Sequence, residues 1–479
     1  MNTVPSNVRS LTIAIAVAFL LTSVGVGYWT MVASDELGGD PFNPRLVSAL
    51  RDRPRGKILD SEGTVLAESV KQAEGYARRY ADRSLSQVVG YASFKYGASG
   101  IEASYADSLI GQDPGDPLSS WRARYLGEHE EPGAVVLTIV PRVQKAALDA
   151  LAATGRKGAI IALDPRTGAV LASVSLPNYD ASQVANPATE DVAWQQVNGD
   201  AGKPLIDRAR SGLYAPGSTF KTVTGAAALE NGVNPDTKVR VDDPWQADKS
   251  WGTYFVRSSS QAHGDYTMAD GYRLSENIYF AKIGLQIGGG KIAEYASRFG
   301  IGAAPKCDIP AARGQLSNTG QLDRPTLIAD TAYGQGELLV SPLQMALVAS
   351  AIARGGVMPT PHYAKEVRDS AGNVIRTIAP GAVGQVVSPE TAVKINGYLV
   401  GAVEGPGAFA FGAKISGVHV AGKTGTAENP AGPPHGWFIG FAPAENPTVA
   451  VAVIIENAGQ GGIDAAPLGG RVMQAALGR

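Results

Sequence analysis

Three short motifs, in a fixed order along this 479-residue chain, constrain its fold more than any other feature. Residues 218–221 (STFK) have the pattern S-x-x-K, residues 275–277 (SEN) the pattern S-x-N, and residues 423–426 (KTGT) the pattern K-T-G-T. On ordinary serine and lysine usage, an S-x-x-K match occurs by chance roughly once in a chain of this length. The ordered triple is far rarer, so we expect the fold to bring the three motifs together.

The first motif places a serine one helical turn before a lysine. A Pro-Gly pair interrupts the chain before Ser218, and residues 219–230 contain good helix formers and no proline. Residues three apart on a helix share a face, so Lys221 can take the Ser218 proton if burial or a second cation, such as Lys423, lowers its pKa. The helix N-terminus also offers N–H groups to an oxyanion. The alternative is an ordinary capping serine and a solvated lysine.

The second motif precedes an apolar stripe at helical spacing, formed by Phe280, Ile283 and Ile287. Ser275 and Asn277 are therefore expected on the turn that enters this helix. A hydroxyl there can pass a proton between a lysine and a leaving group, and an amide there can hold a substrate backbone. The alternative is that Ser275 only caps the helix.

The third motif follows residues 418–422 (VHVAG), whose β-branched side chains predict a strand. Together with the apolar segments 436–441 and 449–455, it predicts three hairpin-connected strands buried at the centre of one sheet. Side chains alternate along a strand, so Thr424 and Thr426 should project from the same side. With the lysine that precedes them, these hydroxyls would form a suitable cradle for a peptide carboxylate.

The same segment matches the phosphate-binding pattern G-x-x-x-x-G-K-[ST], between Gly417 and Thr424. That motif requires a helix beginning at its lysine, whereas residues 425–434 (GTAENPAGPP) cannot form a long helix, so the sequence disfavours a nucleotide site. The chain lacks a G-x-S-x-G elbow and an H-E-x-x-H helix, and its five histidines and single cysteine, Cys307, offer little material for a metal cluster. We expect no metal and no cofactor. A net charge of -2 does not indicate nucleic-acid binding.

The N-terminal region contains an uncharged apolar run, residues 11–31, that is long enough to span a bilayer. Tyr28 and Trp29 lie near its far end, where interfacial aromatic residues are expected, and Arg9 on the near side indicates that the N-terminus stays inside. We therefore predict an uncleaved anchor. A secretory signal cleaved near residues 32–34 is the alternative, and both interpretations place the rest of the chain outside the cytoplasm.

Together these features resemble a class B penicillin-binding protein, and the resemblance covers nearly the whole chain. Residues 55–67 (RGKILDSEGTVLA) and 97–102 (GASGIE) are similar to the family's pedestal motifs, and residues 334–336 (GQG) and 341–346 (SPLQMA) to a stretch after S-x-N. The length and texture resemble the actinobacterial penicillin-binding protein A type. The sequence leaves no room for the glycosyltransferase domain of class A. Glu276 replaces the commoner Asp or Ser of the middle motif, at a position that we expect to carry no catalytic role.

The resemblance implies a mixed α/β (α+β) fold: a penicillin-recognising transpeptidase domain with a central antiparallel sheet flanked by helices, a small β-rich pedestal and a transmembrane helix. The expected organisation is a cytoplasmic tail at 1–9, an anchor at 10–32, a non-catalytic, dimerisation-type pedestal at 33–135 and the transpeptidase domain at 136–479.

The resemblance also implies a catalytic role for four motif residues. Ser218 would attack the D-Ala–D-Ala carbonyl of a peptidoglycan stem peptide, with Lys221 as the general base. Ser275, together with Lys423, would relay the proton to the departing D-Ala. An amine of a neighbouring stem peptide would then resolve the acyl-enzyme and form a cross-link, whereas β-lactams would acylate the same serine.

The remaining motif residues are implied to bind substrate. Asn277 would hold the substrate backbone, and Thr424, Gly425 and Thr426 would line the site of the terminal carboxylate. The backbone N–H groups of Ser218 and Thr426 would form the oxyanion hole.

The family analogy further predicts a single-pass protein of the plasma membrane with an extracytoplasmic catalytic domain and a polytopic glycan polymerase as partner. Cell division is one candidate setting for its role in cell wall synthesis. The alternatives are a D,D-carboxypeptidase or β-lactamase on the same fold, or a catalytically silent divisome scaffold. The anchor and pedestal disfavour a β-lactamase, and the complete set of motif residues disfavours a scaffold.

Overall fold

The computed structural model of the protein describes residues 6–31, 53–72, 75–111, 131–258, 263–429, 432–459 and 461–479. Its strands, in chain order, are β1 Lys57–Leu59, β2 Val65–Lys71, β3 Tyr76–Tyr80, β4 Ala92–Ser93, β5 Gly97–Ala98, β6 Ala134–Leu137, β7 Gly158–Leu163, β8 Val170–Leu176, β9 Val239–Asp242, β10 His263–Tyr266, β11 Val357–Thr360, β12 Ala364–Arg368, β13 Val374–Thr377, β14 Gly381–Gln385, β15 Ala421–Asn429, β16 Gly432–Ala442 and β17 Val449–Ile455.

The α-helices are α1 Ser6–Met31, α2 Ser86–Val89, α3 Gly100–Ser104, α4 Ala106–Leu109, α5 Pro141–Ala152, α6 Ala181–Ala185, α7 Glu190–Gly199, α8 Lys221–Glu230, α9 Met268–Arg273, α10 Asn277–Ile287, α11 Gly289–Arg298, α12 Pro325–Ala332, α13 Pro342–Ala353, α14 Pro389–Glu404, α15 Gly461–Asp464 and α16 Ala466–Ala476. Within α1, residues Asn7–Trp29 are long and apolar enough to cross a membrane, and they include most of the predicted anchor. The alternative cleavage position at 32–34 lies outside the described residues.

The central sheet has five antiparallel strands in the order β15-β16-β17-β7-β8. Strand β17 is buried along its whole length because helices cover both faces of the sheet. Val451 and Val453 face α5 and α16 on one side, whereas Ala452 and Ile454 face the larger core that includes α8 and α13. The predicted run of three successive antiparallel strands in one sheet is confirmed, but only β16 and β17 lie inside the sheet, because β15 forms its edge.

The first of these strands begins later than the sequence indicates. The prediction placed it at 418–422, with K-T-G-T at its end, but β15 begins at Ala421 and continues to Asn429. Pairing explains the difference, because Lys423 lies opposite Ile439 and Thr426 opposite Gly436 in β16. The K-T-G-T motif is therefore held inside the strand, on the edge of the sheet.

A second sheet of six strands has the order β13-β12-β6-β1-β2-β3, in which β1 and β6 are parallel and the other neighbours antiparallel. Strands β1 to β3 come from the predicted pedestal, whereas β12 and β13 come from the predicted catalytic domain. Strand β6 spans the predicted boundary at 135/136. The sheet thus joins the two parts of the chain, and the domain limits stay a prediction.

A buried ionic cluster lies beside this second sheet. Arg55 Nε is 2.7 Å from Glu102 Oε2, and Arg78 Nε is 2.6 Å from Glu102 Oε1. The Tyr80 hydroxyl also donates to Glu102 Oε1, at 3.1 Å. Arg55 begins the segment 55–67 and Glu102 ends the segment 97–102, so the two pedestal motifs meet in this cluster.

Candidate active site

Backbone contacts bring the first motif against the third. Gly217 has a φ of 55°, and a Cβ at this position would lie 2.7 Å from the Thr426 carbonyl oxygen. A Cβ at Gly425 would lie 2.6 Å from the Pro216 carbonyl oxygen. Only glycine fits this close approach, and at Gly217 only glycine adopts the left-handed conformation without strain. These two glycines therefore place Ser218 directly beside β15.

Ser218 and Lys221 are not in one regular helix, although the sequence predicted a helix over 219–230. A 3-10 turn at Gly217–Phe220 carries the serine, and α8 begins at Lys221. Tight 3-10 turns are frequent at helix N-termini. The turn keeps the predicted one-turn separation, and the Lys221 Nζ lies 2.9 Å from the Ser218 Oγ.

The Lys221 amino group is fully buried and contacts the second motif. It donates to the Ser275 carbonyl oxygen and to Asn277 Oδ1, both at 2.7 Å. The Phe280 ring centroid lies 5.5 Å from its Nζ, which places an aromatic face against the amine. A neutral amine has two N–H groups and one lone pair. With both N–H groups given to these oxygens, the lone pair is left for the Ser218 hydroxyl.

The Ser275 hydroxyl lies between two lysines. Lys423 Nζ donates to Ser275 Oγ at 2.7 Å, and Lys221 Nζ lies 3.4 Å from the same oxygen. Lys423 is 1% exposed, and its amino group also donates to the Thr424 carbonyl oxygen at 3.2 Å. Ser275 has a φ of 55°, which is uncommon for a residue other than glycine. This conformation lets its carbonyl and its hydroxyl both reach the buried amines.

Burial sets the protonation of this lysine pair. Burial, followed by the charge of Lys423, lowers the pKa of Lys221 well below its ordinary value, and the negative charge of Glu276 partly opposes this effect. Burial also lowers the pKa of Lys423 to about 7. Two ammonium groups at one buried site disfavour each other, so one amine gives up its proton. Burial and the neighbouring ammonium group therefore both favour the neutral form of Lys221, which is the form that can accept a proton.

The predicted substrate-binding residues border the same site but differ in exposure. Asn277 uses its Nδ2 to donate to the Arg257 carbonyl oxygen at 3.0 Å, so its amide links Lys221 to a neighbouring segment. Thr426 is exposed and its Oγ1 accepts from the Gly461 N–H at 3.4 Å. Thr424 is 5% exposed, so in this structure its hydroxyl does not face open solvent.

Several residues that the sequence analysis gave no role also support the site. Gln335 Nε2 donates to the Thr426 carbonyl oxygen at 3.2 Å, Trp437 Nε1 donates to the Ala215 carbonyl oxygen at 2.9 Å, and the Tyr272 hydroxyl donates to the Lys221 carbonyl oxygen at 2.8 Å. The run at 334–336 already marked Gln335 as part of a family-like stretch. For Tyr272 and Trp437 the sequence offers only their residue type, since a Tyr or Trp that becomes buried usually needs a partner for its polar atom.

The assembled groups suit acyl transfer. A serine, a buried amine with a lowered pKa, a hydroxyl beside a second amine and a strand edge lie within one hydrogen-bonded group. Within the described ranges, no set of three or more His, Cys, Asp or Glu side chains is placed to hold a metal ion.

Comparison with known proteins gives consistent matches over the whole chain. The family profile described as "Penicillin binding protein transpeptidase domain" matches residues 158–474, and the profile described as "Penicillin binding protein A dimerisation domain" matches residues 55–136. "Peptidoglycan D,D-transpeptidase PbpA" of Mycolicibacterium smegmatis is 33% identical, over 100% of this chain and 99% of the relative. The protein of the same name from Mycobacterium tuberculosis H37Rv is 32% identical, over 98% of this chain and 99% of the relative.

Solved structures agree with these sequence matches. Penicillin-binding protein A from M. tuberculosis, as a penicillin G acyl-enzyme complex, has a TM-score of 0.80 and 32% identity, with 89% of this chain and 100% of that chain covered. A second crystal structure of the M. tuberculosis protein has a TM-score of 0.81 and 32% identity, with 89% of this chain and 99% of that chain covered.

Proposed function

Because this chain belongs to the class B penicillin-binding proteins, of the penicillin-binding protein A type, we propose that Ser218 carries its acyl-enzyme. The protein is a serine-type peptidoglycan D,D-transpeptidase that acts in cell wall synthesis and is acylated by β-lactams. The observation that carries the assignment of Ser218 is the Lys221 amine, which lies 2.9 Å from its Oγ and has both N–H groups given to carbonyl oxygens.

Acylation begins when Lys221 takes the Ser218 proton and the serine oxygen attacks the carbonyl carbon between the two D-Ala residues of a stem peptide. The carbonyl oxygen becomes an oxyanion, which the backbone N–H groups of Ser218 and Thr426 bind. The approach of Gly217 to β15 supports this pairing, since a Cβ there would lie 3.1 Å from the Thr426 nitrogen. Oxyanion donors of this kind supply a large part of the rate in acyl transfer.

The leaving D-Ala amine needs a proton when the C–N bond breaks. The Ser275 hydroxyl, held 2.7 Å from the Lys423 amine and 3.4 Å from the Lys221 amine, passes this proton from the lysine pair. While protonated, Lys423 also attracts the terminal carboxylate of the donor peptide to the K-T-G-T strand, where Thr424, Gly425 and Thr426 border it. Asn277 orients the peptide backbone by its amide.

The same acyl-enzyme can be resolved by different nucleophiles. Attack by an amine of a second stem peptide forms a cross-link. Attack by water hydrolyses the acyl-enzyme, which is carboxypeptidase activity on a stem peptide and β-lactamase activity on a β-lactam. The transpeptidase assignment follows from the family. Comparing D-Ala release from a stem peptide with and without an acceptor amine measures the partition, and the expected result is a cross-linked product that depends on the acceptor.

The N-terminal helix supports a single-pass membrane anchor, by length and composition. The proposed topology leaves residues 1–9 in the cytoplasm and the catalytic domain outside it. A polytopic glycan polymerase is the proposed partner, because a transpeptidase needs newly made glycan strands as its substrate.

The decisive experiment is the intact mass of the full-length protein after incubation with benzylpenicillin, with peptide mapping of the adduct. A stable adduct of one penicillin on Ser218 is expected. Ser218→Ala should abolish the adduct, whereas Ser211→Ala, at an exposed serine seven residues earlier, should retain it. An adduct that survives in Ser218→Ala refutes the assignment, and rapid penicillin consumption without an adduct identifies a β-lactamase.

A further inference from the structure

Glu276 is a fully buried carboxylate at the centre of the S-x-N motif. Its neighbours Ser275 and Asn277 both contact Lys221, so Glu276 lies on the turn that delivers them. A buried carboxylate is costly unless it is hydrogen-bonded or paired. The groups that hydrogen-bond to the Glu276 carboxylate therefore indicate its role.

Both carboxylate oxygens of Glu276 are hydrogen-bonded, and each bond leads to a different part of the site. Oε1 accepts from the Ile278 N–H at 3.0 Å and so caps the N-terminus of α10. Oε2 accepts from the Ser258 hydroxyl at 2.6 Å. Charge-assisted hydrogen bonds of this kind are about twice as strong as neutral ones. The carboxylate thus fixes the turn at its own helix and at a second segment.

The second segment also borders the catalytic lysine. Arg257, next to Ser258, gives its carbonyl oxygen to Asn277 Nδ2 at 3.0 Å, and Asn277 Oδ1 in turn accepts from Lys221. An aspartate at position 276 would be shorter by one methylene, so a single side chain would no longer span from the Ile278 N–H to the Ser258 hydroxyl. The glutamate of this chain therefore adds a connection that the commoner S-D-N motif would not make.

Glu276 also contributes charge. The charged groups acting on Lys221 are Lys423 from β15 and Glu276 from the turn before α10. The other groups that contact Lys221 in the described part of the chain are neutral. They are the oxygens of the S-x-N turn, the ring of Phe280 on α10 and the Tyr272 hydroxyl of α9, which donates to the Lys221 carbonyl oxygen. Burial and Lys423 lower the pKa of Lys221, and Glu276 acts in the opposite direction.

We propose that Glu276 is a positioning residue of the transpeptidase: its carboxylate caps α10, binds the Ser258 hydroxyl and so fixes the turn that holds Lys221, and it places a negative charge near this amine. The proposal rests on Ser218 and Lys221 acting as described above. Glu276 touches no substrate in this scheme. It acts through Lys221 and through the Ser258 contact.

The test is the pH dependence of the second-order acylation constant of the full-length protein with benzylpenicillin. This constant reports the free enzyme, and it rises with pH as Lys221 loses its proton. In Glu276→Gln the side chain keeps its size and its capping oxygen but loses its charge. The pKa of Lys221 should then fall, so the acid limb of the pH profile of the acylation constant should move to lower pH. The plateau of this constant at higher pH should fall about threefold to tenfold, because charge-assisted hydrogen bonds become neutral ones.

Three further variants separate charge from shape. Glu276→Ser, which gives the family-like S-S-N, is a second uncharged variant and should show the same shift of the acid limb. Glu276→Asp keeps the charge, and Ser258→Ala keeps the carboxylate while removing one hydrogen bond. In both, the acid limb should stay near that of the wild type while the plateau falls. Thermal melting identifies any variant that fails to fold.

The outcomes separate this inference from the proposed function. If wild-type protein forms no adduct at Ser218, the proposed function itself fails. If wild type is acylated but the acid limbs of Glu276→Gln and Glu276→Ser coincide with the wild-type limb, the role of Glu276 in setting Lys221 is refuted. A plateau unchanged in both Glu276→Gln and Ser258→Ala refutes the positioning role.

Discussion

Two of the cationic clusters that the protein buries are built in opposite ways. In the pedestal, Arg55 and Arg78 share Glu102, with both N–O distances at 2.7 Å or less and all three side chains nearly inaccessible. In the active site, the hydrogen bonds of Lys221 and Lys423 go to hydroxyl and carbonyl oxygens rather than to a carboxylate.

The difference separates a structural cluster from a reactive one. Arginine keeps its charge under nearly all conditions and matches a carboxylate geometrically. Burial acts to raise the pKa of Glu102, but the charges and hydrogen bonds of Arg78 and Arg55 outweigh it and hold the pKa below its ordinary value. Lysine shifts its pKa readily when buried, so the active-site pair gives up a proton instead. The pedestal cluster therefore keeps its charges, whereas the lowered pKa values of the active-site lysines favour loss of a proton.

The largest effect should come from removing the reactive amine. In Lys221→Met the serine loses its base, and the acylation constant with benzylpenicillin should fall about 10³-fold, within the range of general-base catalysis. Thermal stability should change little, because relief of the cost of burying the amine offsets the loss of its hydrogen bonds to the Ser275 carbonyl oxygen and Asn277 Oδ1. Lys145→Met, at an exposed lysine, is the control and should acylate normally. Acylation of Lys221→Met at the wild-type rate would contradict the assignment of the base.

The next effect should be on stability rather than on chemistry. Glu102→Gln leaves two buried guanidinium groups without a counter-charge, and the free energy of unfolding should fall by about 3–5 kcal/mol. Protein that remains folded should still be acylated at Ser218. Denaturant unfolding of the full-length chain measures the loss. The matched control is Glu68→Gln, on β2 of the adjoining sheet, whose partner Arg79 is largely exposed, and it should cost far less. Equal losses in the two variants would remove the distinction between the clusters.

The smallest effect should appear in the alkaline limb of acylation. The pKa of Lys423 is lowered to about 7, so its charged form dominates below that pH and is lost as the pH rises through it. If this charge attracts the ligand carboxylate, the acylation constant should fall above pH ~7, by at most about tenfold per pH unit. Measuring the constant from pH 5 to 9 tests this. Benzylpenicillin methyl ester lacks the carboxylate and should not show the decline; a shared decline would exclude carboxylate attraction as its cause.

Much of the catalytic core was predictable from local patterns. Residues 436–441 are apolar and rich in aromatic side chains, residues 449–455 are rich in valine and isoleucine, and the sheet contains the two segments as antiparallel neighbours. The turn before α10 was also expected, since a short polar stretch precedes an apolar helical stripe. The bounds of β15 were missed, because cross-strand pairing rather than residue preference sets them. Pairing with β16 begins at Ala421 and continues through Thr426.

The contacts that tune the site were not predictable in the same way. Glu276 was expected to carry no catalytic role, yet its carboxylate joins two segments separated by 18 residues in the chain. A Cβ at Gly462, on α15, would lie 3.8 Å from Thr424 Cγ2, so a helix far along the chain borders this threonine. The pairing of β1 with β6 across the predicted domain boundary is likewise a long-range contact.

The sequence by itself determined which chemical groups are present, their order and the type of fold that holds them, because hydrophobic periodicity and motif spacing are local properties. Only the tertiary structure decided that the Lys221 amine is buried with a lowered pKa, and that Lys423 and the Ser275 hydroxyl lie beside it. A pKa depends on burial and on charges from distant parts of the chain, and these become defined only when the strands and helices pack.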